Sequence, residues 1–418
     1  MQTRLSPEFA GTPEGLEAEA ILRKCVHCGF CTATCPTYQL LGDELDGPRG
    51  RIYLMKQVLE GEKPTRKTQM HLDRCLTCRN CESTCPSGVQ YGHLLDIGRK
   101  IVDAKVPRPT PEKALRWALK EGLPSPLFAP AMKIGQAVRG LLPAALQAKV
   151  PPRQDAGAWP TRSHARKVLM LAGCVQPSMM PNINAATARV LDAAGIQTVV
   201  APKAGCCGAV KFHLNDQDGG RAEMRANIDA WWPMIASGEG EALVMNASGC
   251  GVTVREYGHF LKDDPAYAEK AQRIGELTRD LSELLPAMVA ALRQSRPDRV
   301  PGPPAGDAGA GRHLAFHPPC SLQHGQQLRG GVEQHLAAFG FKVQVARSES
   351  HLCCGSAGTY SVLNPDLSHQ LRDRKLGHLG ELEPDVIVSA NIGCITHLQS
   401  GTPTPVRHWV EVLDEHLR

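Results

Sequence analysis

From residue 166 onward, short apolar runs alternate with longer segments whose apolar positions recur at helical spacing. VLML at 168–171, IQTVV at 196–200 and ALVM at 242–245 are such runs, and NAATARVLDAAG at 184–195 is such a segment. The order then returns as LAF at 314–316, VEQHLAAFG at 332–340, FKVQVA at 341–346 and DVIVSA at 385–390. Short β-branched runs alternating with helical stretches predict βαβ units around parallel strands. Earlier in the chain the spacing is helical, as in PRGRIYLMKQVLEG at 48–61. LFAPAMKIGQAVRGLLPAALQAKV at 127–150 reads as an amphipathic helix pair with Lys133, Arg139 and Lys149 on its polar side. The expected fold class is α+β multidomain. A mainly helical module occupies 1–103 and a basic, Pro-punctuated bridge 104–165. Two repeated α/β domains follow, at 166–293 and 313–418, joined by the Pro/Gly-rich linker 294–312. Gly306, Gly309 and Gly311 in that linker follow no strand and precede no helix, so they do not read as a dinucleotide loop.

Composition narrows this picture. Apolar residues make up 42% of 418, enough for real cores, and aromatics only 5%, so the cores are aliphatic. The net charge is a mild +5, but residues 100–167 carry 13 Lys+Arg against 4 Asp+Glu. That local excess points to a contact made by one segment, with a membrane surface or a partner subunit. No apolar run reaches the roughly 18–20 residues of a membrane span. MQTRLSPEFAGTPEGLEAEA at the N-terminus has no apolar signal core, so a cytoplasmic, reducing location is expected, peripheral on the inner face of the plasma membrane.

Sixteen cysteines are many for such a chain. In a reducing compartment clustered cysteines hold metal more often than disulfides. Eight lie in two copies of one run, CVHCGFCTATCP from Cys25 to Pro36 and CLTCRNCESTCP from Cys75 to Pro86. Cys-x-x-Cys-x-x-Cys-x-x-x-Cys-Pro is the bacterial ferredoxin run, whose fourth cysteine ligates the other cluster. The expected pairing is therefore crossed. One [4Fe–4S] cluster takes Cys25, Cys28, Cys31 and Cys85, and the other takes Cys75, Cys78, Cys81 and Cys35. A pair of tetrahedral zinc sites is the competing reading.

The other eight cysteines follow the strand-like runs. Cys174, Cys206, Cys207 and Cys250 belong to the first repeat, and Cys320, Cys353, Cys354 and Cys394 to the second, at offsets of 146, 147 and 144 residues. They fall just past the expected carboxyl ends of parallel strands, where open α/β sheets bind ligands. One or two further clusters, a zinc site, or small buried thiols all fit this pattern. The glycine after each Cys-Cys pair is expected to let the backbone pass close to something bulky. His213, His317, His324, His351 and His397 lie near these elements. His397, three residues after Cys394, is the most pointed candidate for a ligand or proton donor, against the reading of a plain helix-face histidine. No phosphate loop, hydrolase triad or home for a flavin or nicotinamide is visible, so no catalytic residue is assigned and single-electron relay for a flavin partner is expected.

The doubled ferredoxin run, the two CCG segments, and the endings SGCGVTVREYGHFL and NIGCITHL resemble the iron–sulfur subunits of bacterial glycolate oxidase (glycolate dehydrogenase) over nearly the whole chain. The CCG pair alone is shared with lactate-utilisation, glycerol-3-phosphate dehydrogenase and heterodisulfide-reductase relatives. The resemblance implies a complex with an FAD-containing dehydrogenase subunit and a second flavin-type subunit. It implies FAD in those partners only, glycolate oxidised to glyoxylate there with an acceptor other than NAD, and electrons passed through this subunit toward a membrane quinone. It implies the eight N-terminal cysteines as ligands, and no nucleic-acid partner. Many CCG domains end in Cys-x-x-Cys. Here Thr253 and His397 stand in place of that last cysteine, against a catalytic disulfide reductase of the heterodisulfide-reductase kind.

Overall fold

The structure is a computed structural model and describes residues 1–147, 149–303 and 312–418. In the N-terminal module, helices Pro13–Lys24, Pro48–Leu59, Arg66–Asp73 and Tyr91–Lys105 pack together. Their starts are written locally. Proline opens two of them, the Thr12 hydroxyl accepts from Gly15 N, and Thr65 and Thr68 form a reciprocal cap. Leu22, Met55, Leu59, Leu72, Leu94 and Leu95 meet in the core. Each such burial contributes about 1.5–3 kcal/mol.

That core also encloses a charge. Arg51 is fully buried and donates to His71 O (2.7 Å), Thr37 Oγ1 (3.1 Å) and Asp46 Oδ1 (3.3 Å). Asp46, equally buried, also accepts from Arg74 (2.9 Å). Arg99 donates to Leu72 O and Cys75 O, both at 2.7 Å. Together these arginines tie the segment between the two cysteine runs to the start of the second run.

Each repeat is a four-stranded parallel sheet. In the first, β1 (Arg166–Met170), β2 (Ile196–Val199), β3 (Leu243–Met245) and β4 (Thr278–Asp280) stand in the order β2-β1-β3-β4. In the second, β5 (His313–Phe316), β6 (Lys342–Val345), β7 (Val386–Ser389) and β8 (Val406–His408) stand in the order β6-β5-β7-β8. All six pairings are parallel. The apolar runs predicted three strands per sheet. The fourth, TRD and VRH, is short and mixed in polarity and has no such run.

Side chains alternate across the first sheet. Val168 joins a core continuous with the second repeat through Leu314, Phe316 and Trp409, while Leu169 faces Trp231 and Tyr257 on the other side. Helix Pro181–Ala193 lies on helix Trp409–Leu417, tied by Arg189 to Asp414 (2.8 Å). Ser248 N donates to Ala390 O (3.0 Å), and the hydroxyls of Ser248 and Ser321 lie 2.8 Å apart. The carboxyl ends of the two sheets therefore face each other.

Two expectations change. Residues 127–150 form one helix, Phe128–Ala137, then a tight turn at Arg139–Leu141 and the short helix Ala144–Gln147. Arg139 donates back to Val150 O and Lys149 reaches Ser361 Oγ (3.1 Å), so neither lies on a free polar face. The basic excess is likewise largely paired within the chain. Arg108 and Arg116 bind Asp73, Lys120 binds Asp216, Arg162 binds Asp192, and Arg166 binds Glu241. Apolar groups are what this segment leaves in water: Leu127 is 74% exposed, Ile134 66% and Leu141 87%. In the expected linker, Val300 is buried and Arg299 donates to His416 O (3.0 Å); Gly306, Gly309 and Gly311 lie outside the described residues.

Asp46→Ala leaves Arg51 buried without its carboxylate. It is expected to lower stability by about 3–5 kcal/mol, read as a lower denaturant midpoint of the anaerobically prepared chain. An unchanged midpoint contradicts the role given to this pair.

Candidate metal centres

Both N-terminal cysteine runs are shaped by the same backbone device. Cys25 caps helix Pro13–Lys24, and Cys75 comes shortly after helix Arg66–Asp73. Beyond each, two residues take left-handed conformations at matching places. They are His27 (φ 58°) and Gly29 (φ 87°) in the first run, and Thr77 (φ 51°) and Arg79 (φ 56°) in the second. The short helices Phe30–Ala33 and Asn80–Thr84 then carry Cys31 and Cys81. Cys35 caps the start of helix Pro36–Leu41 and Cys85 the end of Asn80–Thr84. Left-handed backbone costs a non-glycine residue about 1–2 kcal/mol. Arg79 takes the place of Gly29 in the second copy and has a partner there: its Nη2 lies 2.7 Å from Glu256 Oε2 of the first repeat.

The thiols gather in two groups, each drawing on both runs. Burial pushes the Cys31 thiol up to about 11, and the nearby thiols of Cys25, Cys28 and Cys85 add to the rise. Burial likewise raises Cys81, beside Cys78, Cys75 and Cys35. Cys25, Cys28, Cys31, Cys81 and Cys85 line one pocket. Cys35, Cys75, Cys78 and Cys81 line another. Thiols crowded together with Cys25, Cys35 and Cys81 buried among them cannot all ionise without a compensating cation. A four-sulfur donor set suits iron–sulfur clusters or zinc, and the thiols that line these two pockets are such a set. Several donors are aimed at sulfur: Thr77 N at Cys75 Sγ (3.4 Å), Tyr91 Oη at Cys75 Sγ (3.6 Å) and Asn391 Nδ2 at Cys394 Sγ (3.7 Å). Such bonds tune cluster potentials.

The other eight cysteines sit past the carboxyl ends of the strands. In the first repeat the Cys206 thiol meets those of Cys174 and Cys207, and Cys207 meets Cys250. Hydrogen bonds from its two neighbours lower Cys206, while Cys174 and Cys207 are raised. Glu223 approaches this group; burial first, then the Cys206 charge, push its carboxyl up to about 8. In the second repeat Cys353 meets Cys320 and Cys354, and Cys354 meets Cys394. Cys320 also touches Cys78, so the second repeat abuts one of the N-terminal thiol groups.

The glycine after each Cys-Cys pair serves the backbone rather than a cofactor. Gly208 (φ 92°) and Gly355 (φ 88°) are left-handed, and a Cβ there would strike Gly220 O at 2.8 Å or the carbonyl of Ser368. The bulky neighbour expected beside them is a helix.

His397 is turned away from the cysteines. Its Nε2 lies 3.0 Å from Ser368 Oγ and 3.2 Å from Ser368 O, and Ser368 Oγ donates to Gly355 O. It therefore steadies the CCG loop. His324 joins the module to the second repeat: Nε2 donates to His351 O (2.8 Å) and Nδ1 accepts from Ser83 Oγ (3.1 Å). His351 contributes that carbonyl, which also accepts from Asn80 (3.2 Å). His213 lines a pocket between the module and both repeats, with Cys78, Cys320 and Glu256. A ring nitrogen of His317 lies within 4.8 Å of Cys354 Sγ and Cys394 Sγ. Sequence reasoning did not find Glu256 or Ser83, because each acts through a partner more than 170 residues away.

Residues 21–89 match the family model of the 4Fe-4S dicluster domain, and residues 168–255 and 314–399 match that of the cysteine-rich domain CCG. The chain is 55% identical to the "Glycolate oxidase iron-sulfur subunit" of Escherichia coli (strain K12), over 100% of this chain and 99% of that protein. It is 30% identical to the "Probable glycolate oxidase iron-sulfur subunit" of Bacillus subtilis (strain 168), over 92% and 89%. It is 27% identical to "Lactate utilization protein A" of Bacillus licheniformis, over 59% of this chain and 99% of the relative.

Proposed function

This chain belongs to the glycolate oxidase iron–sulfur subunit family, and on that premise we propose that it is the electron relay between a flavin-bearing glycolate dehydrogenase subunit and a membrane acceptor. It is an iron–sulfur, electron-transfer subunit of an oxidoreductase complex. Oxidation of the 2-hydroxyacid belongs to a partner catalytic subunit that holds FAD, with a second flavin-type subunit beside it and a quinone as the acceptor. The single observation that carries the relay is the adjacency of the two N-terminal thiol groups, whose cavities share Cys81 as a wall.

Cys25, Cys28, Cys31 and Cys85 would hold one [4Fe–4S] cluster, and Cys75, Cys78, Cys81 and Cys35 the other. Bound there, the two clusters take up and release electrons one at a time. The protein orients them, keeps water off, and aims hydrogen-bond donors at the ligating sulfurs. Val26 and Phe30 are 69% and 60% exposed beside Cys28, which favours this end as the seat of the flavin partner. The lack of a further cysteine in each repeat favours relay over disulfide reduction: Thr253 Oγ1 donates to Gly249 O (3.2 Å) and His397 is engaged by Ser368.

Among the described residues no helix is long and apolar enough to cross a membrane. Contact with the cytoplasmic membrane surface is assigned to Leu127, Ile134 and Leu141, large apolar side chains this segment leaves exposed.

Three outcomes test this reading. Glycolate is expected to reduce the clusters of the complex within turnover time, while the purified chain alone shows no glycolate-dependent dye reduction; activity of the chain alone overturns the relay. Electron paramagnetic resonance of single Cys→Ser variants is expected to show Cys85→Ser removing the same signal as Cys31→Ser, and Cys35→Ser the same as Cys81→Ser. Loss sorted by run instead would refute the crossed assignment. A Leu127→Ser/Ile134→Ser/Leu141→Ser variant is expected to co-sediment with anionic liposomes at least tenfold less than wild type; equal co-sedimentation rejects the membrane contact.

A further inference from the structure

The relay needs only the eight N-terminal cysteines, yet the second repeat holds an unexplained side chain. His317 follows β5 and is 1% exposed. Neither Nδ1 nor Nε2 meets a hydrogen-bond partner. Its backbone is fixed on both sides, since His317 N donates to Val388 O (2.8 Å) and His317 O accepts from Ser389 Oγ (2.9 Å). Buried polar groups are almost always partnered, and an exception in a native fold calls for an explanation such as an ion. A ring nitrogen of His317, Cys354 Sγ and Cys394 Sγ all lie within 4.8 Å of one another. The first repeat offers no counterpart. The residue that stands three before Cys174, as His317 stands before Cys320, is Leu171, which is buried among apolar side chains. His397, His324 and His351 are not alternatives. The first two have ring nitrogens bound to Ser368 and Ser83, and His351 faces the N-terminal module through its carbonyl.

We propose that the second repeat holds a metal centre of mixed ligation, with a nitrogen of His317 and the sulfurs of Cys354 and Cys394 as ligands, while the first repeat has no histidine at the matching place. Two thiolates and an imidazole form a soft set that suits an iron–sulfur cluster or zinc. If the metal is iron, a neutral nitrogen in place of a thiolate raises the potential, as histidine ligation does in other clusters. Position adds to the argument: Cys320, three residues on, touches Cys78 of an N-terminal thiol group, so this centre borders the relay.

The test uses the complex purified anaerobically, with histidine labelled by ¹⁵N. Pulsed electron paramagnetic resonance reads nitrogen coupled to iron, and the zinc absorption edge reads imidazole bound to zinc. Wild type is expected to show histidine nitrogen on one of the two metals. His317→Ala is expected to lose that signature and one centre's metal, with the N-terminal cluster signals intact. His317→Cys, which restores a ligand, is expected to keep the metal and lose the nitrogen, so a folding defect in the alanine variant does not blur the result. His397→Ala is expected to change neither. Histidine nitrogen absent from both metals in wild type overturns the proposal, as does a signature that survives His317→Cys. Neither result touches the relay, whose cysteines lie elsewhere.

Discussion

Sulfur atoms gathered in the dark of a protein repel one another once charged, and that repulsion governs this molecule. Burial and near neighbours of the same kind push the Cys31 and Cys81 thiols up, so these two resist ionisation until a cation compensates them. Metal binding is then folding free energy as well as chemistry. The surrounding scaffold fixes the loops in advance. Arg51 and Asp46 pin the segment between the two runs, and Arg99 grips the carbonyl of Cys75. Left-handed residues at matching positions in both runs curl the chain around its sulfurs.

The two runs pack as one unit: Cys85 lies near Cys31, and Cys35 near Cys81. The same logic extends outward. Arg79 reaches Glu256 in the first repeat, and Ser83 and Asn80 reach His324 and His351 in the second. The two sheet-and-helix repeats thus meet the helical module at the second cysteine run, and the repeats turn the carboxyl ends of their strands toward each other through Ser248 and Ala390. The repeats share topology but not chemistry: one sets Glu223 beside Cys206, the other sets His317 beside Cys354 and Cys394.

Much of the fold is legible in the sequence. The cysteine spacing points to runs that meet, and the structure places Cys85 near Cys31 and Cys35 near Cys81. The apolar runs predicted six of eight strands, and β4 and β8 escaped because TRD and VRH carry no apolar signature. Helix Pro48–Leu59 was readable from its period. Charge was the least reliable guide. The basic segment looked like a surface for a partner, yet most of its arginines are spent on Asp73, Asp192 and Glu241, pairings that only the fold creates. His397 stood out by its spacing from Cys394, whereas His317 matters more by geometry. Sequence separation does not report which way a ring faces, and an orphaned nitrogen is visible only once neighbours are placed.

Quantifying iron, acid-labile sulfide and zinc on the chain purified without oxygen tests the central claim most directly. Two clusters held by the N-terminal octet require about eight irons and about eight sulfides per chain, with any further metal assigned to the repeats. A folded, electron-transferring preparation with zinc at those cysteines and no sulfide would contradict the account.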